Sequence, residues 1–284
     1  MNFTNKNLAT LAALLFITSG FAYERNSLKF GSEYRSGELS QDQALGLYST
    51  QQLQLTFDSC RDLFPIKKPI DINRFPAEMR PLALCSDHFA VIYSQTSKTP
   101  LVVIERLTAQ QLQSARGEVR TNQFYPDPRI PKNSRSELSD YSSQYPPVDR
   151  GHQAPAADSP NTRAMGQSFA LSNTVPQDPT HNRKIWSKVE SDVRKFAQRS
   201  RGNVFVFTGP IFGPGHITVG ANKVWMPTHL FKLVYDEQTA RAWAYLQVNG
   251  EARTERPMDY ARFAAQTGLY LLDGLPVSGN IMQP

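Results

Sequence analysis

Cysteine is scarce in this chain of 284 residues, which contains only Cys60 and Cys85. Two thiols cannot supply the usual four-ligand thiolate zinc site, so that class of metal centre is excluded. Two cysteines in an oxidising compartment usually pair. We therefore expect a Cys60–Cys85 disulfide, and closing a loop of about 25 residues stabilises a fold by about 3 to 4 kcal/mol on the chain-entropy estimate.

Long apolar runs are also lacking, except at the N-terminus. Residues 8–21, a run of about 14, contain no charge and follow Lys6. The run is shorter than the roughly 20 residues of a membrane-spanning helix, and Gly20 and Ala22 offer the small side chains that a signal peptidase reads. We predict that residues 1–22 are a signal peptide and that the mature chain is periplasmic or secreted, without a membrane span. An uncleaved N-terminal anchor is the alternative.

Acidic residues are few in one segment. Residues 183–201 carry seven cations and two acids, a net charge of +5, whereas the formal net charge of the whole chain is +6. A local basic patch favours a polyanionic partner, although a solvated basic helix has the same composition. Charge alone leaves both interpretations open.

The pattern of apolar residues predicts an α+β fold with a mixed, mainly antiparallel sheet. Helices are expected from His181 or Asn182 to about Arg201, and over residues 258–272. A turn is expected at residues 176–180. Residues 120–147 lack a regular pattern, and so long a coil inside a domain indicates a functional rim. Strands are predicted over residues 89–95, 100–108, 168–173, 203–212, 217–219, 224–226, 230–235 and 240–248.

The segment Asp149-Arg150-Gly151-His152 places a base beside an arginine. A neutral imidazole at His152 can take a proton from water near neutral pH. Arg150 can hold a phosphate oxygen in a bidentate fork, and Gly151 permits close approach of the backbone. A single histidine in a loop is more often a surface or capping residue, so the functional interpretation depends on its neighbours.

Three further residues lie on the predicted basic helix. Asn182 suits a helix N-cap, but its carbonyl oxygen also suits Mg²⁺. Glu190 follows eight residues later, about 80° further round the helix, where it could reach a metal-bound water. Arg194 could form an ion pair with Glu190 or contact phosphate. A zinc site that uses His152 and His181 is a third interpretation, although Asn is an unusual zinc ligand.

Three segments in fixed order resemble one known family. Residues 149–158 (DRGHQAPAAD), 168–177 (SFALSNTVPQ) and 182–190 (NRKIWSKVE) resemble the DNA/RNA non-specific endonucleases, the ββα-metal nucleases that include Serratia-type nuclease and endonuclease G. The likeness runs from about residue 89 to 272. It implies a ββα-metal finger within an endonuclease domain at residues 89–284, preceded by an N-terminal extension at residues 23–88.

The resemblance also implies roles for individual residues. It makes His152 the general base, Asn182 the direct ligand of Mg²⁺, with Mn²⁺ as a substitute, and Glu190 the acid that orients water on the metal. It implies that Arg150, Arg106 and Arg194 contact phosphate or stabilise charge. The substrate-binding set that follows from it is Arg150, Arg106, Arg194, Lys188 and Asn173.

The expected function is therefore an exported, Mg²⁺-dependent endonuclease that hydrolyses DNA and RNA to 5′-phosphate and 3′-hydroxyl ends. Discrimination among sequences should be slight, because such ligands address phosphate rather than base edges. The alternative is a non-catalytic nucleic-acid-binding protein of the cell envelope on the same scaffold. A homodimer and a protein inhibitor both stay open as partners.

Overall fold

A seven-stranded antiparallel sheet forms the centre of the protein, in the order β1-β2-β3-β6-β9-β10-β11. The computed structural model describes residues 39–142, 147–250 and 255–278, so the predicted signal peptide lies outside it. The seven strands are β1 (Pro81–Cys85), β2 (Phe89–Ser94), β3 (Thr99–Leu107), β6 (Val204–Ile211), β9 (His229–Asp236), β10 (Arg241–Val248) and β11 (Met258–Asp259). The prediction of an α+β fold with a mainly antiparallel sheet is confirmed.

In the described ranges, two small ribbons and five α-helices surround this sheet. The ribbons pair β4 (Asp149–His152) with β5 (Thr174–Gln177), and β7 (Thr218–Val219) with β8 (Val224–Trp225). The helices are α1 (Gln41–Leu45), α2 (Ala109–Ser114), α3 (Thr162–Ser168), α4 (Ser187–Arg199) and α5 (Tyr260–Thr267). A π-helical segment, His181–Trp186, leads directly into α4. Within the described ranges, no helix is both long enough and apolar enough to cross a membrane.

The central sheet has two different faces, because side chains alternate along each strand. On the first, here called the helix face, α4 packs through Val193 and Ala197 against Val204, Val206 and Val234. On the second, the disulfide face, the apolar cluster comprises residues from the sheet, α5 and the N-terminal region, including Phe205, Phe207, Leu233, Phe263 and Cys60.

The expected disulfide is confirmed between Cys60 and Cys85, whose Cα atoms lie 5.7 Å apart. It ties a region of short 3₁₀ turns to β1, an edge strand. Strand β1 ends before residue 88 and pairs with β2, which begins after it. The sheet is therefore continuous over the predicted boundary between the extension and the domain. That boundary stays a prediction.

Three expectations about local structure are wrong. Residues 168–173 do not form a strand, because α3 ends at Ser168 and a 3₁₀ turn follows at Leu171–Asn173. The predicted turn overlaps β5, where Pro176 is tolerated because the ribbon has only two strands. The last helix is shorter than expected, since Gly268 adopts φ 72° at its C-cap and β11 precedes it.

Candidate active site

The predicted ββα-metal finger is formed by β4, β5 and the helix that follows them. In the ribbon, Asp149 pairs with Gln177 and His152 with Thr174. Gly151 lies against the side chain of Gln177, which a β-carbon at this position would overlap. The glycine is therefore required by close approach, as the sequence suggested, and the two strands present Asp149 and His152 beside the helix.

The helix begins before Asn182, so the N-cap interpretation of that residue is wrong. Its first turn starts at Pro179, and Asp178 accepts a hydrogen bond from the backbone N–H of His181 at 2.8 Å. Asp178 thus caps the helix, and the side chain of Asn182 is available for another role. Asn182 lies in the π-helical segment, a kind of helical irregularity that is frequent at functional sites.

Asp149 fixes the orientation of the Asn182 amide. The Nδ2 group of Asn182 donates to Asp149 Oδ2 at 2.8 Å, and Arg183 also donates to the same carboxylate. Because a carboxylate accepts only, the amide must present nitrogen to Asp149 and turn its oxygen elsewhere. A neutral oxygen held in this way fits Mg²⁺, which takes few protein ligands and keeps several waters.

His152 is buried, with a relative exposure of 8%, and its Nε2 atom has no hydrogen-bond partner among the residues that the structure describes. Its ring contacts those of Phe124 and Phe169, each with a centroid distance of 5.0 Å. Burial, and then the charges of Arg120 and Arg150, lower the pKa of His152 to about 3. The imidazole is therefore neutral at any physiological pH and can accept a proton.

Two arginines flank the imidazole, and sequence analysis identified only one of them. Arg150 lies with its Cζ atom 4.4 Å from the centroid of the Phe124 ring. Arg120 lies in the same way over Phe169, at 5.1 Å. Burial lowers the pKa of Arg120 while the charge of Glu190 raises it, so these two groups interact. The arrangement places two guanidinium groups beside a neutral base, which suits a phosphate group.

Glu190 lies on α4 above the buried amine of Lys232. Burial raises the pKa of Glu190 to about 7, although the charge of Lys232 acts in the opposite direction. Lys232 is 1% exposed, and its Nζ atom donates to Thr208 Oγ1 at 2.7 Å. The helix face of the sheet therefore places a cation beneath the carboxylate.

Arg194 forms an ion pair with Asp158 and also interacts with Glu190. Its Nε atom donates to Asp158 Oδ1, and Asp158 is 3% exposed. Burial opposes the charge of Arg194, but Asp158 and then Glu190 raise its pKa. The i,i+4 pair of Glu190 and Arg194 that the sequence indicated is thus part of a larger group of charges, which lies next to the loop that follows His152.

The structure places Arg106 apart from the other predicted site residues, so its role in phosphate binding stays a prediction. Arg106 lies on β3 in register with Val102 and Ile104, which belong to the cluster of the disulfide face. Its charge is instead among those that lower the pKa of Asp62, a residue of the N-terminal region. Its neighbour Glu105 lies on the helix face, where His88 Nε2 approaches Glu105 Oε1 at 3.3 Å. A shift of one residue along a strand changes the face, and the sequence match did not resolve it.

Two members of the predicted substrate-binding set have partners within the protein, and substrate binding by them stays a prediction. Asn173 is fully buried, donates to the carbonyls of Ala154 and Ser168, and accepts from the backbone N–H of Ala154. It therefore supports the loop after His152, as a structural or site-supporting position would. Lys188 is exposed and pairs with Asp192 at 2.6 Å.

The zinc interpretation finds no ligand set in the described residues, which contain no group of three His, Cys, Asp or Glu side chains suited to a metal. His181 is buried beside Trp186, and its Nδ1 atom lies 2.7 Å from Gln177 Nε2. Burial lowers the pKa of His181 to about 4. It serves the packing of the helix start.

Sequence analysis missed Arg120, Asp149 and Lys232 as site residues. Asp149 stood within the motif and could have been read as the partner of Asn182. Lys232 is a lysine in an apolar strand, which is a recognisable signal because lysines are almost never fully buried without a partner. Arg120 stands in a coil without periodicity, and only its sequence proximity to Phe124 distinguishes it.

The sequence profile described as "DNA/RNA non-specific endonuclease" matches residues 66–277. The chain is 36% identical over 171 residues to Nuclease C1 of Cunninghamella echinulata var. echinulata, an alignment that covers 56% of this chain and 67% of that one. It is 32% identical over 159 residues to human mitochondrial endonuclease G, covering 52% of each chain.

Among solved structures, a chain of the crystal structure of the EndoG/EndoGI complex superimposes with a TM-score of 0.61 at 25% identity, covering 66% of this chain and 85% of that one. The chain spans about half the length of several curated relatives, such as 49% of the mitochondrial nuclease of Schizosaccharomyces pombe, to which it is 32% identical over 52% of its own length. The profile match covers most of the chain. The chain therefore belongs to the DNA/RNA non-specific endonuclease family, a family of hydrolases.

Proposed function

We propose that this protein is an exported, Mg²⁺-dependent endonuclease that hydrolyses phosphodiester bonds of DNA and RNA to 5′-phosphate and 3′-hydroxyl ends. The observation that carries the proposal is the set of groups around His152. A neutral imidazole, whose Nε2 atom has no hydrogen-bond partner in the described part of the chain, lies near Arg120 and Arg150, and the helical residues that follow the ribbon include Asn182 and Glu190. These are the groups that attack of water on phosphorus requires.

His152 is the base in this proposal. In the free protein burial, and then the charges of Arg120 and Arg150, lower the pKa of His152. A phosphate that binds to both guanidinium groups offsets their charge, so the basicity of the imidazole rises when substrate is present. Proton transfer from water to Nε2 is therefore favoured in the complex, where it is needed.

The arginines hold the phosphate. Arg150 and Arg120 each stack on a phenylalanine ring. Because their side chains are already held in this way, they lose less conformational entropy when phosphate binds. Arg194 is held by Asp158 and lies near Glu190, where it offsets negative charge. Since all these groups address phosphate, the protein should cleave many sequences and lose affinity steeply as salt rises.

Asn182 would hold the metal through its side-chain oxygen, which Asp149 orients. When bound, Mg²⁺ would neutralise charge on the phosphate and on the leaving 3′ oxygen. Glu190, eight residues along the helix, would accept hydrogen bonds from water near the metal. Mn²⁺ is the expected substitute, because it accepts the same oxygen ligands.

Export is supported by the apolar run at residues 8–21 and by the Cys60–Cys85 disulfide, a bond that persists in oxidising compartments. Periplasmic and extracellular locations both agree with these features. The solved relative is EndoG in complex with EndoGI, a structure that concerns the inhibition of EndoG. A protein inhibitor is accordingly a candidate partner of this chain, alongside a second copy of itself.

The proposal is tested by incubating the purified mature protein with supercoiled plasmid and, separately, with structured RNA. We expect both to be cut in Mg²⁺, EDTA to stop the reaction, and the new 5′ ends to be substrates for a phosphatase. Plasmid that is retarded on a gel but stays intact in Mg²⁺ and Mn²⁺ would support the non-catalytic binding protein instead.

A further inference from the structure

Three aromatic rings form one contact group at the base of the active site. His152 contacts Phe124 and Phe169, and those two phenylalanines contact each other at 5.0 Å with an interplanar angle of 87°. The same two rings lie under Arg150 and Arg120. The positions of the proposed base and of both phosphate ligands therefore depend on where Phe124 and Phe169 lie.

The backbone joins the two phenylalanines to each other. Tyr125, next to Phe124, donates its N–H to the carbonyl of Phe169 at 3.2 Å, and its own carbonyl accepts from Leu171. Tyr125 and Ala170 form an isolated parallel β-bridge. A displacement on either side is therefore transmitted to both rings.

The N-terminal region packs behind this group. Ala44, Leu47 and Tyr48 belong to the same buried cluster as Phe169, and Leu39 and Phe124 pack against it. A larger set of polar contacts attaches this region to the residues beside the two rings. They join Tyr48 Oη to Tyr125 Oη at 2.9 Å, Gln167 Nε2 to the carbonyl of Leu47 at 2.7 Å, and Gln52 Nε2 to Asp87 Oδ1 at 2.8 Å.

Residues 39–48 lie outside the range that the family profile matches, which begins at residue 66. The active site of this chain is thus completed from behind by a segment that the family profile does not include. We propose that residues 39–48 are a positioning element for His152, acting through Phe169 and Phe124. The segment touches no substrate group, and it works by holding the two rings against the imidazole and the two arginines.

The consequence for His152 concerns solvent as well as geometry. The charged groups that act on the imidazole are Arg120, from the coil before β4, and Arg150, from β4 itself. Burial is nevertheless the first cause of the low pKa of His152. If the segment packs less tightly, water should reach the imidazole, and the pKa should rise towards the ordinary value of a histidine, about 6.5.

Two variants test the inference, which rests on the proposed function only for its activity readout. Leu47→Ala removes packing from the segment while keeping the carbonyl that Gln167 binds, and Phe169→Leu removes one ring. The ring protons of the five histidines are titrated by NMR, and the His152 signal is assigned from its absence in His152→Gln. The rate of plasmid cleavage is measured in parallel.

We expect both variants to move the midpoint of the His152 titration upward, Phe169→Leu further than Leu47→Ala. We also expect kcat to fall about tenfold in Phe169→Leu and a few-fold in Leu47→Ala, because small displacements of a catalytic group are costly, with a smaller change in KM. Phe263→Leu is the matched control. It opens the same kind of cavity on the disulfide face, so it should lower stability and leave the His152 titration unchanged.

The inference is overturned if Leu47→Ala folds and leaves the His152 titration where the wild type has it, with kcat no lower than in Phe263→Leu. Should Phe169→Leu fail to fold, the comparison of Leu47→Ala with Phe263→Leu decides alone. A wild-type protein that cuts no nucleic acid would overturn the proposed function, while the titration would still test the positioning element.

Discussion

The two faces of the central sheet bury different kinds of side chain. The helix face carries Lys232 and Glu105, each 1% exposed, and the ribbon with His152, 8% exposed, lies on the same side. The disulfide face covers aromatic and aliphatic residues and the Cys60–Cys85 bond. Burying a charge costs free energy unless it is paired, whereas burying apolar area stabilises the fold. The helix face therefore buries ionisable groups beside its apolar cluster, whereas the disulfide face is mainly apolar.

Apart from the removal of His152, the largest loss of activity is expected when Asn182 is replaced. Asn182→Ala should lower Mg²⁺-dependent cleavage by at least about 100-fold, since even residues that only support a ligand are worth about 10 to 100-fold. Titrating the rate with Mg²⁺ and Mn²⁺ measures it. Arg61→Ala, an exposed residue of the N-terminal region that pairs with Asp58, is the control and should stay within about twofold of the wild type. A fully active Asn182→Ala protein would contradict the role given to this residue.

The arginines permit a direct comparison of the faces. Arg120→Ala should raise KM and lower kcat/KM by at least about tenfold, because it removes a charge-assisted contact to phosphate. Arg106→Ala should leave kcat/KM nearly unchanged, since Arg106 lies on the disulfide face. Steady-state cleavage of a short duplex measures both. Equal losses in the two variants would contradict the placement of Arg106 on the disulfide face, away from the phosphate.

Glu190 gives a pH dependence of defined sign. Burial raises its pKa to about 7, above its value in the unfolded chain, so the folded state binds the extra proton between about pH 4.5 and 7. Stability should therefore fall as pH rises through that window. In EDTA, Glu190→Gln should melt several degrees higher than the wild type at pH 8.5 and nearly equally at pH 4.5.

The same titration affects the rate. Wild-type cleavage should decline as pH falls through about 7, because protonated Glu190 no longer attracts water near the metal. Glu190→Gln should be slower at pH 8 and lose this decline. A pH profile that is identical in the two proteins would remove Glu190 from the proposed mechanism.

The smallest expected effect on activity comes from the disulfide face. Replacing both cysteines by serine should lower the free energy of unfolding by about 3 kcal/mol and leave kcat within about twofold. Urea unfolding and plasmid cleavage of the same preparation measure the two quantities. A large loss of activity in protein that is still folded would show that the faces are coupled through β1 and β2.

Much of the site could be predicted from sequence, because three residue blocks carry most of it. The structure places Asn182 beside Asp149 of the strand that carries Arg150 and His152, and Glu190 and Arg194 on the helix that follows, while their roles stay predictions. Arg106 lies apart from them for a physical reason, since adjacent residues on a strand face opposite sides of the sheet. Arg120 and residues 39–48 could not be found, because their role depends on tertiary contacts between irregular segments that have no periodic pattern.

The central claim is that a neutral His152 takes a proton during phosphodiester hydrolysis. The most direct measurement compares cleavage of supercoiled plasmid by wild type and by His152→Ala, in Mg²⁺ and in EDTA, with thermal unfolding of both proteins. Losing a general base costs about 10² to 10⁴-fold in rate. We expect cutting by the wild type in Mg²⁺ only, a loss of this size in His152→Ala, and an unfolding temperature that is not lowered enough to explain it. Cleavage by His152→Ala at the wild-type rate would exclude His152 as the base.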